Sequence, residues 1–232
     1  MKSFRFQQFE VSQSSRVFRV GTDGVLLGAM CSVENAETVL EVGSGSGIIS
    51  LMIAQRNPNA KISAIDLNKE AALLSKGNFQ NSKFSERMNA FQGNFKNYHS
   101  EEKFDFIVCN PPYFEENTSV KDVLARQKVE LQFEELISKS SQLLTENGVF
   151  SVIIPSESAD EFIQISKNSN LHLIKKVNIF GIEGGVLKRN VLEFSLSPKD
   201  LVQENFVIEK SPRKYSDEYL ELTKDFHVFH SK

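Results

Sequence analysis

From residue 38 to about 196 the chain alternates short apolar runs with longer amphipathic stretches, and no other feature limits its fold so tightly. Thr38–Val42, Lys61–Asp66, Phe104–Cys109 and 149–154 have strand length, and 89–92 is a shorter candidate. Between them, 48–55, 69–81, 133–144 and 158–168 carry apolar residues at helical spacing. In 69–81, for example, Ala71, Ala72, Leu74 and Phe79 fall near one face. Strands separated by helices of this length join through right-handed crossovers into a parallel sheet. The last two runs, 171–180 and 190–196, are linked through Gly181 and Gly184-Gly185 without a helix, which predicts one antiparallel pair. The expected architecture is therefore α/β and Rossmann-like, with a mostly parallel sheet and one antiparallel strand.

The 232 residues suit a single domain. Its core spans 38–197, a C-terminal extension covers 198–232, and an N-terminal extension covers 1–30, in which Phe4–Val20 alternates in two runs like a β-hairpin. The tail, 215–229, reads as a short amphipathic helix, and 115–130 is polar and treated as a mobile loop. Formal net charge is −3, so no overall positive field points to nucleic acid. Two local patches do. Residues 1–22 hold Lys2, Arg5, Arg16 and Arg19 against Glu10, and residues 171–190 hold Lys175, Lys176, Lys188 and Arg189 against Glu183. Cys31 and Cys109 stand alone, without a Cys/His cluster, so neither a disulfide framework nor a metal site is expected. No signal peptide or spanning segment is visible. A monomeric, reduced, cytoplasmic protein follows.

Glu41-Val42-Gly43-Ser44-Gly45-Ser46-Gly47 ends the first core strand and opens the first core helix. Glycines there let the backbone turn tightly and approach a ligand, at the strand end where doubly wound sheets bind nucleotides. About 20 residues on, Asp66 closes the second strand, placed for ribose hydroxyls. The dinucleotide fingerprint needs a glycine where Ile48 stands. A carboxylate at Glu41 also disfavours a nearby pyrophosphate, because two anions would share a low-dielectric pocket. It suits a cationic amino group instead, and S-adenosylmethionine carries one alongside a ribose. The second motif is Phe106-Ile107-Val108-Cys109-Asn110-Pro111-Pro112-Tyr113-Phe114, a core strand stopped by two prolines that lack backbone N–H groups.

Together these motifs resemble the class I S-adenosylmethionine-dependent methyltransferases that act on exocyclic or amide nitrogens. Three further stretches are Phe6-Gln7-Gln8-Phe9, Val20-Gly21-Thr22-Asp23-Gly24-Val25-Leu26-Leu27-Gly28, and Tyr215-Ser216-Asp217-Glu218-Tyr219 with Leu222-Thr223-Lys224-Asp225-Phe226. They resemble, in order and over nearly the whole chain, the bacterial tRNA adenine-N6 methyltransferases that modify adenosine 37 of valine tRNA. The resemblance implies a seven-stranded sheet with its last strand antiparallel. It implies cofactor contacts at Thr22, Asp23, Gly24, Glu41, Gly43, Gly45, Gly47, Asp66, Leu67 and Asn94. Thr22 and Asp23 would otherwise cap a helix over 25–29. Many relatives place Asp where Asn94 stands, so an adenine amino group would meet a neutral acceptor here.

Adenine N6 is a poor nucleophile because its lone pair is delocalised into the ring. If the Asn110 side-chain oxygen and the Pro111 carbonyl each accept one N–H, the nitrogen is held and drawn toward tetrahedral geometry; Pro112 stiffens the acceptor pair. Tyr113 would stack on the base, and Phe114 would close the pocket. A base can enter such a site more easily from a single-stranded loop than from a duplex. Arg5, Arg16, Arg19, Lys188 and Arg189 are the expected RNA contacts, with Arg126 in the loop after the motif. His99, His172, His227 and His230 lie outside the motifs, and no general base is needed before transfer. The alternatives are a protein glutamine amide, which also offers two N–H groups, or another base amine.

Overall fold

The computed structural model describes residues 3–17, 20–111 and 131–228. β1 (Ser3–Arg5) and β2 (Glu10–Ser12) form the N-terminal antiparallel hairpin, followed by α1 (Thr22–Met30). Then come β3 (Thr38–Val42), α2 (Ile48–Arg56), β4 (Lys61–Asp66), α3 (Lys69–Gln80), β5 (Met88–Gln92) and β6 (Phe104–Cys109). Beyond residue 130 the order is α4 (Phe133–Leu143), β7 (Leu144–Pro155), α5 (Ala159–Asn168), β8 (His172–Ile182), β9 (Leu187–Ser195), β10 (Val202–Ser211), β11 (Lys214–Tyr215) and α6 (Asp217–Thr223).

Among the described residues the main sheet has nine strands in the order β11-β10-β8-β9-β7-β6-β3-β4-β5. β9 is antiparallel to both neighbours, as the helix-free connection required. The expected count of seven falls short by β10 and β11. β10 adds in parallel along β8, and β11 folds back on β10. Covering β8 in this way removes a row of unpaired backbone groups from the sheet edge. The tail helix is correspondingly shorter than expected, because Lys214 and Tyr215 are extended and α6 begins at Asp217.

Successive residues of the central strands point to opposite faces, and both faces are covered. Phe106 and Val108 join Leu26, Met52, Phe79 and Val191 on one side, while Leu40 and Ile107 join Leu136, Phe150, Phe162 and Phe194 on the other. The rings of Phe150, Phe162 and Phe194 sit 5.8–6.3 Å apart, so three of the nineteen phenylalanines form one aromatic cluster there. The flanking motifs close the ends of the chain on each other. The Gln7 amide donates to the carbonyls of Lys224 and His227, and Phe6 stacks on Phe9 and His227. Gln55, in the last turn of α2, donates to Asp225 O. Among the described residues no helix is long and apolar enough to cross a membrane.

Candidate active site

β3 and β6 run parallel with Val42 opposite Cys109. After β3 the chain moves outward through β4 and β5, then returns to β6 on the other flank. The gap beyond their C-terminal ends is the switch point at which open α/β sheets bind ligands. Residues 43–47 leave from one side of it and Asn110-Pro111 from the other.

Gly43, Gly45 and Gly47 adopt φ of +76°, +53° and +77°, a region costing an L side chain roughly 1–2 kcal/mol. Among the described residues, a Cβ on Gly43 or Gly45 would meet nothing within 4 Å, whereas one on Gly47 would stand 2.4 Å from Phe79 Cε1. Two glycines therefore border open space, and the third is pressed against α3. Gly43 N–H donates to Ile65 O at 2.8 Å and Gly45 N–H to Asp66 Oδ2 at 2.9 Å. From α3, Ser75 Oγ meets Ser44 Oγ at 3.0 Å, and Asn78 Nδ2 donates to Ser46 O at 2.8 Å. Asn78 also bonds the N–H and C=O of Ser12, joining the N-terminal hairpin to the turn. Sequence reasoning passed over Ser75 and Asn78. Their signal was spacing, since Ala71, Ala72, Ser75, Asn78 and Phe79 share the buried face of α3.

Glu41 does not stand on the open side of the turn. It is 1% exposed, and its Oε2 accepts from both the N–H and the Oγ of Ser50 in the first turn of α2. The reason is local: early helical N–H groups lack intrahelical partners, and this carboxyl supplies one. Burial pushes its pKa up to about 8, against the opposing pull of the Ser50 bonds. Asp66 is half-buried, with Oδ1 accepting from Asn68 N–H at 2.8 Å and Oδ2 from Gly45. Burial raises its pKa as well, opposed by those two backbone bonds. Beside it Leu67 is 47% exposed, an apolar shoulder at the rim. Asn94 lies just past β5 and is exposed, and its Oδ1 accepts from Lys96 N–H at 3.0 Å. That bond caps a short 3-10 turn, which Asn and Asp serve equally well.

Thr22 opens α1 itself, and the capping position belongs to Gly21 without a side-chain bond, so the capping alternative falls. Asp23 Oδ2 pairs with Arg189 Nε at 3.0 Å, joining an expected cofactor contact to an expected RNA contact. Gly24 is buried, and a Cβ there would sit 3.2 Å from Ile48 Cγ2, so it also lets α1 pack closely on α2. Asn110 is half-buried directly after β6, and Pro111 is buried. Pro112, Tyr113, Phe114, Arg126 and Arg19 lie outside the described residues, as does the 115–130 loop. Lys188 and Arg189 open β9 at the ligand edge, and Arg16 reaches it through an exposed ion pair with Glu70 at 2.8 Å. Arg5 does not reach it, because the adjoining Phe6 and Gln7 pack on the tail that meets the far end of α2. Among the described residues no cluster of His, Cys, Asp or Glu could hold a metal ion.

The methyltransferase small domain model matches residues 14–182. A tRNA1(Val) (adenine(37)-N6)-methyltransferase of Flavobacteriaceae bacterium strain 3519-10 is 48% identical over 230 residues, covering 99% of this chain and 100% of its own. One of the same name from Actinobacillus pleuropneumoniae serotype 7 is 33% identical and covers 98% of both chains. Among solved structures, a predicted O-methyltransferase from Agrobacterium tumefaciens aligns with a TM-score of 0.71 at 18% identity, over 88% of this chain and 96% of its own. That last likeness speaks for the fold.

Proposed function

The chain belongs to the tRNA1(Val) (adenine(37)-N6)-methyltransferase family, and we propose that it methylates N6 of adenosine 37 in the anticodon loop of valine tRNA with S-adenosylmethionine. The observation that carries the reading is the pairing of Val42 with Cys109, which sets an open glycine turn and an Asn-Pro acceptor pair side by side at the switch point.

When bound, S-adenosylmethionine supplies a methyl carbon made electrophilic by its sulfonium. The residues present fit it. Gly43 and Gly45 leave room for close approach. Asp66, held by two backbone N–H groups, would accept from ribose hydroxyls through its remaining lone pairs, and Leu67 and Asn94 would hold the adenine. Asp23, at the first turn of α1, offers a carboxylate to the ammonium. Glu41 acts from below, fixing the start of α2 through Ser50.

The acceptor chemistry belongs to Asn110 and Pro111. Their two oxygens receive the two N6 hydrogens, which fixes the amine and returns electron density to its nitrogen. Each such acceptor is worth about 3 kcal/mol of transition-state stabilisation. Once methylated the nitrogen is acidic, and its proton passes to solvent without a dedicated base. Tyr113 supplies the stacking face. Arg16, Lys188 and Arg189 line the same edge for RNA phosphates, and the protein works in the cytoplasm where its substrate is.

Incubation with methyl-labelled cofactor and total RNA from a strain lacking the gene tests the proposal. Label is expected as N6-methyladenosine in one tRNA. Label found only in protein overturns it in favour of a glutamine amide.

A further inference from the structure

The Tyr215–Tyr219 motif has no part in the chemistry above, yet the sheet delivers it to the ligand edge. β10 is parallel to β8, and β8 and β7 are each antiparallel to β9, so β10 runs in the direction of β3, β6 and β7. The turn from β10 into β11 therefore opens on the same edge as Asn110. Four strand spacings separate β6 from β10, about 19 Å at roughly 4.8 Å each. Stacked nucleotides span that distance in about six steps of roughly 3.4 Å.

The turn reads Ser211-Pro212-Arg213-Lys214, with Ser211 paired to Lys214. Arg213 has φ +64°, and the only other non-glycine in that region among the described residues is Asn170. Asparagine tolerates the left-handed conformation, whereas a long side chain is disfavoured there. The backbone is pinned, since Arg213 N–H donates to Glu209 Oε2 at 3.1 Å. The side chains of Arg213 and Lys214 are exposed, and neither has an ion-pair or hydrogen-bond partner among the described residues. Of the surrounding acids, Glu209 holds the Arg213 N–H itself, Asp217 pairs with Lys210 at 2.8 Å, and Glu218 accepts from Val207 N–H at 2.5 Å. Next to the pair, Tyr215 is 44% exposed and its ring is stacked on that of buried Tyr219, with centroids 4.5 Å apart at 21°. Backbone strain at a cationic tip, beside an aromatic face backed from below, matches a ligand with phosphates and planar bases.

The geometry points to an RNA-backbone anchor at the β10–β11 turn, in which Arg213 and Lys214 grip phosphates while the target base occupies the Asn110 site. This rests on the RNA-methylating function proposed above. Glycine at 213 removes the strain and the charge together, so the anchor predicts opposite signs for stability and RNA affinity. A residue serving only the fold would not separate them.

The experiment measures steady-state methylation of a valine tRNA transcript, filter binding of the same RNA, and thermal melting. For Arg213→Gly, KM for tRNA is expected to rise about threefold while Tm rises by about 2 °C. For Arg213→Gly with Lys214→Ser, KM and Kd for tRNA rise about tenfold and kcat stays within about twofold. The slope of log Kd against log salt falls by about 1.4, the share of two phosphate contacts on single-stranded RNA. Unchanged tRNA affinity in the double variant, with wild-type protein active on the same RNA, overturns the anchor and leaves the methylation assignment standing. Wild-type protein that binds but does not methylate the RNA overturns that assignment, and the binding and melting signs still decide the anchor.

Discussion

The two edges of the sheet treat polar side chains differently. Where the strands begin, valences are used up internally. Asp105 Oδ2 accepts from the N–H groups of Glu37 and Thr38 at 3.0 and 3.1 Å, and Oδ1 accepts from Thr145 Oγ1 at 3.1 Å. Asn57 donates to the carbonyls of Val33 and Ala36 at 2.8 Å each and accepts from Asn59 and Ala60. Where the strands end, the chain places positive-φ glycines and Asn110, and Asp66 spends its two oxygens on backbone N–H groups of Gly45 and Asn68, bracing the turn itself. The buried carboxamide of Asn57 holds the start of a strand, and the half-buried one of Asn110 stands where the strands end, beside the glycine turn.

Two asparagines put that contrast to its strongest test. Asn110→Ala should lower kcat by about 10²–10³-fold while affinity for S-adenosylhomocysteine, measured by calorimetry, moves less than about twofold. Parallel losses in both would undo the division of labour at the switch point. Asn57→Ala should do the reverse. Chemical denaturation should show a loss of about 2–3 kcal/mol from stranded buried partners, with kcat per folded molecule retained.

Glu41 belongs to the ligand edge yet is closed off from solvent, and pH exposes the cost. Its carboxyl, ordinarily near 4.5, is pushed up to about 8 by burial. Between those values the folded protein holds a proton that the unfolded chain releases. Stability from this group is thus complete below about 4.5 and declines as pH rises toward 8, at up to about 1.4 kcal/mol per pH unit. Denaturation midpoints should fall from pH 6 to pH 8, and Glu41→Gln should flatten the fall. An equal slope in the variant would assign it to other groups.

The glycine turn contains both edge behaviours within five residues. Gly45→Ala should weaken cofactor binding about tenfold through the filled cradle, with roughly 1 kcal/mol lost from its positive φ. Gly47→Ala, with Phe79 in the way, should lose about 2 kcal/mol or more of stability and less affinity per folded molecule. Equal ratios of affinity to stability loss in the two variants would contradict the split.

Much of this was legible in the residues. Apolar runs and helix-length spacers dictated the parallel sheet, and the short glycine-containing link between β8 and β9 dictated the reversed β9. The glycine turn and Asn110 announced themselves because strand ends tolerate such sequences only for a reason. β10 was hidden because Glu204 and Asn205 interrupt its alternation, leaving Phe206 as the one buried member. Glu41 misled because a charged residue beside a ligand turn looks outward in sequence, whereas its partner Ser50 is set by helix geometry nine positions on. Local charge counts grouped Arg5 with Arg16, and only the hairpin's packing separates them.

Those two arginines give the smallest and most discriminating comparison. Arg16 stands at the ligand edge, paired with Glu70 at 2.8 Å by side chains 76% and 47% exposed. A pair so exposed contributes little to folding, so Arg16→Ala should shift Tm by less than about 1 °C. It should still raise KM for tRNA about threefold by deleting a phosphate contact. Glu70→Ala should lower that KM, because it releases the guanidinium to the RNA. Arg5 faces Glu10 across the hairpin near the tail, so Arg5→Ala should leave KM for tRNA unchanged. A rise for Arg5→Ala as large as for Arg16→Ala would mean that RNA wraps around to the edge where the strands begin, and the separation of the two edges would fail.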